Sequence, residues 1–347
     1  MRVGVVGLGM GSHLAAWCER LGIRVEAVCD RAPAVLARAG AALPDARRVS
    51  DWRDLLDMGL DGVILANDFH AHAPPAIAFL DRGVHVLSET AACADEEQGR
   101  RLVEAADRSS ATYSLAENYV LLPHVRLIRE ALPEIGRVTH IEADYLHGMS
   151  PQDVNSLIGD PGHWRGTIAS TAYCTHSLSP ILALTGALPV EVTAFTADTT
   201  APRQASVMAV RLSTGALALT RNGFLQGESD SHWSWVSVRG ERGLAESVRA
   251  RGDQAWSVRV RTEGWTQVDG RAREEVRVPP ELSLDGEPVE RSAEGTVLLL
   301  QAFRATVEQG APPVTGVHEA VAASLVGVAG ARSLEQGSVP VPLPELG

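Results

Sequence analysis

Apolar and polar positions follow two rhythms along the chain. From residue 2, RVGVVG is an apolar run, then comes a glycine turn, then SHLAAWCERL with its apolar positions at helical spacing. VEAVCD (ending in Asp30), DGVILAND, VHVLSE and ATYSLAEN are further short apolar runs with the look of buried strands. Helical stretches separate them: the Ala-rich residues 32–43, WRDLLDMG as a short helix, APPAIAFLDRG with Pro early and Gly at its end, and the charged residues 95–108. Strands alternating with helices predict a parallel, doubly wound sheet. After about residue 120 the rhythm changes. HVRLIREAL reads as a helix and RVTHIEADYLHG as a longer alternating strand. EVTAFTAD, SVMAVRLSTGALALTRNG, HWSWVSVRGERGLAES, WSVRVRTEGW and EEVRVP then alternate with few helices between them, with STG and RGERG as hairpin turns. Helices near 293–309 and 317–335 close the pattern. The expected class is α/β. A doubly wound domain over residues 1–120 precedes an α+β domain over 121–347 with a large, mostly antiparallel open sheet, and the C-terminal helix packs back on the first domain. One face of that sheet is expected to carry helices and the other to meet a second subunit, giving a homodimer or homotetramer.

Composition narrows the classes. The 347 residues are 45% hydrophobic and 21% charged, which suits two globular domains with a large core. A net charge of −12 offers no electrostatic footprint for nucleic acid. No apolar run approaches the ~20 residues of a membrane span. The apolar N-terminus leads into a glycine turn and not a cleavage site, so the expected compartment is the cytoplasm. Cys18, Cys29, Cys93 and Cys174 are scattered without CxxC spacing, as reduced thiols would be. All 31 basic side chains are arginine, so no lysine of this chain can act as base, acid or Schiff-base former.

Candidate chemistry begins at Gly7-Leu8-Gly9-Met10-Gly11-Ser12, after the first strand and opening the first helix. Glycines there let the backbone approach a pyrophosphate, and a helix N-terminus offers free N–H groups. Ser12 stands where the third glycine of GxGxxG usually falls, small enough for close helix packing. Asp30 ends the second strand about 20 residues on, where a carboxylate accepts from a ribose diol and repels a 2′-phosphate. The expected cofactor is NAD, with Arg31 next door leaving NADP open. His70 and His72 form an HxH pair with His85 nearby, but no third ligand is spaced with them and no metal is expected.

Within this pattern, AHAPPAIAFLDRGVHVLSE, HWR and CTHSLSP occur in the order found in the glucose–fructose oxidoreductase / inositol dehydrogenase / rhizopine-catabolism family, which the chain resembles over nearly its whole length. The resemblance implies a Rossmann domain followed by a sheet domain, and an NAD(P)-dependent hydride transfer at a ring secondary alcohol of a sugar, glycoside or cyclitol. It implies pyrophosphate contacts from Leu8 to Ser12, adenosine-ribose contacts from Asp30 and Arg31, and a nicotinamide side lined by Asn67, Asp68, His70 and His72. By the same resemblance Glu89 and Thr90 flank the nicotinamide ribose, Asn118 ends the fifth strand, and Trp164 and Arg165 reach back from the second domain. The family's Glu-Lys-Pro is here Glu89-Thr90-Ala91, without the lysine and without the proline that takes a cis bond.

The acid–base groups also differ from the family pattern. Besides the missing lysine, the aspartate four residues before the family histidine is Ala172. Tyr173-Cys174-Thr175-His176 remains. His176 matches the family histidine, and an imidazole suits proton transfer at neutral pH. Tyr173, three residues earlier, shares a helix face with it. Tyr-x-Thr-His-x-Leu-x-Pro, Glu89-Thr90-Ala91-Ala92 in place of Glu-Lys-Pro, and the ENY containing Tyr119 resemble the branch that includes NAD-dependent glycosidases acting on N-acetylgalactosaminides. For that branch the implied chemistry is oxidation at C3, elimination, water addition and re-reduction, with no net redox change. His147, His163 and Tyr119 are candidate substrate contacts, and Asp153 is read as a solvated loop residue. Trp164, Trp233, Trp235 and Trp265 are candidates for stacking on a sugar, Trp233 and Trp235 sharing one strand face. A third class, a non-catalytic NAD(H) sensor, has only the missing lysine and aspartate in its favour.

Overall fold

The structure, a computed structural model, describes all residues except 161, 197–204, 225–226, 228–232 and 346–347. Two compact units divide the chain. The first comprises Met1–Glu117 together with Thr296–Leu325, the second Asn118–Gly295 together with residues 326–345.

The first unit holds six parallel strands: β1 (Arg2–Val6), β2 (Arg24–Cys29), β3 (Arg47–Val49), β4 (Gly62–Leu65), β5 (His85–Ser88) and β6 (Tyr113–Leu115). Their order is β3-β2-β1-β4-β5-β6, so the chain reverses direction across the sheet at β1. β4 is buried at every position, as a strand covered on both faces must be. The connecting helices are α1 (Met10–Arg20), α2 (Pro33–Ala42), α3 (Ala73–Leu80) and α4 (Glu96–Arg108). At the start of α4, Asp95 accepts from the Gln98 N–H at 2.8 Å, a side-chain cap that fixes the helix start. The segment 296–325 ties on through Arg304, which donates to the Leu21 carbonyl at 2.9 Å, and through Phe303, which occupies the space a Cβ on Gly62 would need.

Three local expectations need correction. Edge strand β3 (Arg47–Val49) was not expected: three residues, two of them exposed arginines, carry no apolar run. WRDLLDMG forms only a 3-10 turn, Trp52–Leu55, with Asp51 accepting from the Arg53 N–H at 2.9 Å. The stretch after RVTHIEADYLHG, read as loop, contains a helix over Pro151–Ile158, started by Ser150 as N-cap and Pro at N1.

The second unit is built on a nine-stranded sheet. Its strands are β7 (Val138–Leu146), β8 (Pro189–Thr196), β9 (Ala205–Leu212), β10 (Leu217–Gly223), β11 (Ser234–Gly240), β12 (Gly243–Ser247), β13 (Val258–Thr262) and β14 (Arg273–Arg277), plus a short C-terminal strand, Val341–Pro342. β7 and β10 pair in parallel, and the other described neighbours are antiparallel. Both predicted hairpins form, Gly215 turning the first at φ +83°. Residues 197–198 of EVTAFTAD and His232 of HWSWVSV lie outside the described residues. One sheet face is covered by α5 (Pro123–Ile135) and by α7 (Thr175–Thr185), the helix Pro151–Ile158 being α6. The other face alternates ion pairs with apolar side chains: Arg221 and Arg249 both clasp the buried Asp144, while Phe195 and Leu217 are about half exposed. Trp235 lies on this face, its indole N–H donating to the Ser247 carbonyl at 2.8 Å and its ring covered by Arg249. Trp233 does not share it. Its left-handed backbone (φ +64°) precedes the strand and breaks the alternation. Among the described residues no helix is long and apolar enough to cross a membrane.

Candidate active site

The glycine turn of the first unit does three jobs with three glycines. Gly7 is left-handed (φ +84°), and a Cβ there would lie 2.4 Å from the Ala66 carbonyl oxygen. A Cβ on Gly9 would meet nothing within 4 Å, so the turn leaves open space above itself at the start of α1, whose first turn has no side-chain cap. Gly11 is the close-packing glycine: a Cβ would come 2.9 Å from Val5 Cγ1. This corrects the expectation for Ser12, which is exposed and hydroxyl-bonds the Leu8 carbonyl at 2.6 Å. Leu8 is buried and Met10 exposed.

Two further loops border this turn in the same unit. Asp30 Oδ2 accepts from the Leu8 N–H and Oδ1 from the Ala32 N–H, both at 2.9 Å, so the carboxylate is drawn onto the glycine turn. Exposed Arg31 pairs with Asp68, joining the loops after β2 and β4. In the latter loop Asn67 Nδ2 donates to the Ala71 carbonyl at 2.9 Å, while its Oδ1 is buried without a hydrogen-bond partner. His70 is exposed. His72 is buried, with Nδ1 2.9 Å from the Ala91 carbonyl and Nε2 3.0 Å from the Asn67 carbonyl. Burial pushes its pKa down, and a neutral imidazole donates to one of these oxygens at a time. His72 is therefore a strut between the loops after β4 and β5, and the expectation that its side chain lines a nicotinamide is revised accordingly. Glu89 is half-buried with its N–H on the Leu65 carbonyl, Thr90 is buried, and the Thr90–Ala91 peptide is cis. The open space at Gly9, the orphaned Asn67 oxygen and the carboxylate at Asp30 fit a dinucleotide.

The second unit gathers aromatic and imidazole rings. Tyr173 sits in a 3-10 turn, Ala172–Cys174, and His176 in the first turn of α7 that follows it. Their rings stack at 6.0 Å and 25°. Tyr145 comes from the helix-covered face of β7, with its ring 4.4 Å from His176 and 5.9 Å from Tyr173. Tyr119, in the turn Asn118–Leu121, packs on His176 at 4.9 Å. His147 follows β7, its N–H held by the Gly223 carbonyl and its ring stacked on Trp233 at 4.0 Å. Its Nε2 is buried with no hydrogen-bond partner, and burial together with His176 brings its pKa down to about 4. Phe224 closes the wall 5.2 Å from Tyr173.

The HWR segment forms a turn beside this cluster. His163 Nδ1 accepts from the Arg165 N–H at 3.2 Å, so His163 shapes the turn, and Trp164 lies under the Arg165 guanidinium. Arg165 Nε donates to the Tyr173 hydroxyl at 3.3 Å. Asp153 accepts from Ser150 at the start of α6, and Trp265 is exposed on a turn over Gly264–Thr266. Sequence reasoning missed Tyr145 and Phe224. The two-residue period of β7 was the available signal, since it sets Ile141, Ala143 and Tyr145 on one face and leads to His147.

A model of an oxidoreductase family's NAD-binding Rossmann fold matches residues 1–117, and a model of the same family's C-terminal alpha/beta domain matches residues 129–343. The chain belongs to the Gfo/Idh/MocA oxidoreductase family. Its first domain is accordingly an NAD-binding Rossmann domain. Among curated relatives, a glycosyl hydrolase family 109 protein of Shewanella woodyi is 29% identical over 200 residues, covering 52% of this chain and 42% of that protein. An alpha-N-acetylgalactosaminidase of Shewanella oneidensis is 27% identical over 200 residues, covering 52% and 43%. The chain thus spans less than half the length of these relatives. A solved levoglucosan dehydrogenase, in complex with NADH and levoglucosan, superposes with a TM-score of 0.83 at 18% identity over 99% of this chain and 100% of that one, a likeness of fold.

Proposed function

We propose that this Gfo/Idh/MocA protein is an NAD(P)-dependent oxidoreductase moving a hydride to or from a ring secondary alcohol of a sugar, glycoside or cyclitol. The observation that carries the reading is the stacked pair Tyr173 and His176 inside an aromatic wall, with Arg165 on the phenol. Leu8 to Ser12, Asp30 and the loops at Asn67 and Glu89 would hold the dinucleotide, which supplies the hydride acceptor and donor. His176 or Tyr173 takes the proton of the alcohol as its C–H bond breaks, and returns it in the reverse direction. The part-exposed ring of Trp233 suits the apolar face of a sugar ring. Contacts from His147, His163 and Tyr119 to substrate, and from Asn118, Trp164, Arg165, Asp68, His70 and Thr90 to cofactor, belong to the same proposal. His163 and Arg165 act in it through the turn they share.

A second reading has specific support. Elimination of a glycosidic group needs two proton carriers, one for the acidified C–H beside the oxidised carbon and one for the departing oxygen. Tyr173 and His176 supply two without lysine, and the relatives are named for glycoside hydrolysis. Aryl glycosides, N-acetylgalactosaminides among them, and free sugars offered with and without NAD separate the readings. Stoichiometric NADH formation marks net oxidation, and aglycone release without NADH accumulation marks the redox-assisted glycosidase. Neither product across the panel overturns both. The ion-paired open face of the nine-stranded sheet, with Phe195, Val207 and Leu217 on it, is further proposed to join copies of the chain.

A further inference from the structure

We infer that Arg165 is a positioning residue that holds Tyr173 ready to work as a base, and this rests on the reading of Tyr173 as a proton carrier. A phenol near its ordinary pKa of about 10 is a poor base at neutral pH. What favours its phenolate is a fixed cation or a hydrogen-bond donor at the oxygen. Arg165 is both, with Nε donating to the Tyr173 hydroxyl at 3.3 Å.

The placement is built. Trp164 lies under the guanidinium at 4.5 Å, and the His163 ring accepts from the Arg165 N–H, so the turn Trp164–Gly166 fixes the direction of the side chain. A planar guanidinium stacked in this way gives directional donation that an ammonium does not. Phe224 meets Tyr173 edge-on, Tyr173 packs with Leu157 and Ile158 of α6 against one apolar cluster that includes Val154, and Tyr145 of β7 stacks beside it. Among the described residues, the ionisable rings near it include His176 on its own segment, Tyr145, and beyond Tyr145 the neutral His147. Low-polarity packing strengthens the effect of a nearby cation. The chain has no lysine, and this arrangement provides a cation-assisted base without one.

The chain has four tyrosines, and burial pushes Tyr113 upward, so an early ionisation is readable in the near-ultraviolet tyrosinate absorbance of the full chain. Wild-type protein should show one tyrosine titrating about one to three units below the ordinary value. Tyr173→Phe should abolish that step, Arg165→Met should return it to the ordinary value or above, and Arg165→Lys should keep part of the shift. Circular dichroism at each pH confirms folding, and Arg165→Gln replaces Arg165→Met if the latter does not fold. An early step that survives in Tyr173→Phe, that is unmoved in the Arg165 variants, or that is absent from wild type overturns the inference. The titration needs no turnover. A shifted tyrosine in a chain without hydride transfer refutes only the functional reading, and an unshifted one in an active enzyme refutes only this inference. In an active enzyme, the acidic limb of kcat/KM should move upward in Arg165→Gln by the same shift.

Discussion

At the scale of single residues, the account rests on groups whose protonation the fold controls. Replacing His176 with Ala, or Tyr173 with Phe, should lower kcat/KM by about two to four orders of magnitude while leaving NAD affinity intact. Equal rates would remove these residues from the chemistry. Asp30→Ala deletes a charged acceptor on the glycine turn and should weaken NAD binding about 10- to 100-fold by calorimetry, since a hydrogen bond to a charged group contributes about 1.5–3 kcal/mol. His147 gives a pH dependence with a definite sign. Its folded pKa is about 4, below the 6.5 of a free imidazole, so the unfolded chain binds the extra proton first. Stability attached to His147 is therefore full above pH 6.5 and is lost as pH falls toward 4. Across that window the melting temperature of wild type should fall relative to that of His147→Phe, and a constant difference would contradict the linkage. The pairing of Tyr173 with His176 was legible in the sequence because a three-residue spacing sets two side chains on one helical face. The hold of Arg165 on Tyr173 was not, because it depends on the path of an irregular turn that no periodicity encodes.

At the scale of elements, legibility followed apolar content. Strands such as Gly62–Leu65 and Ala205–Leu212 announce themselves by runs or alternation, whereas Arg47–Val49 pairs through backbone alone and leaves no pattern. The helix Pro151–Ile158 carries its cap and proline openly, but it is short and has one fully buried residue, Val154. The glycine turn shows how residue type and element combine. Gly9 and Gly11 look alike in sequence, and only the packing separates them. Gly11→Val should cost about 1–3 kcal/mol in urea unfolding, because its side chain collides with Val5 in a filled core. Gly9→Ala should leave stability unchanged and still weaken NAD binding. The reverse pattern would mean that the open side of the turn is not where the pyrophosphate lies.

At the scale of the whole molecule, the division of labour follows from the two units. One is a parallel sheet whose loops are made for a dinucleotide; the other is a large sheet whose helix-covered face ends in a ring cluster. Light scattering on wild type and on Phe195→Asp tests the proposed association: an oligomer that dissociates in the variant agrees with it, and a wild-type monomer refutes it. The order of the two units was legible because their hydrophobic rhythms differ. The return of a C-terminal helix to the first unit was expected, but the extent of the returning segment, residues 296–325, was not legible, because a helix declares an apolar stripe without naming the surface it covers. In the proposed reaction a hydride leaves a sugar-ring carbon for the nicotinamide while Tyr173 and His176 carry protons. It is tested most directly by offering NAD-loaded protein aryl glycosides and free sugars deuterated at the oxidised ring carbon. Turnover should be slowed by the label, deuterium should appear in the reduced nicotinamide, and both effects should be lost in His176→Ala. Turnover that neither needs NAD nor passes deuterium to it would contradict the account.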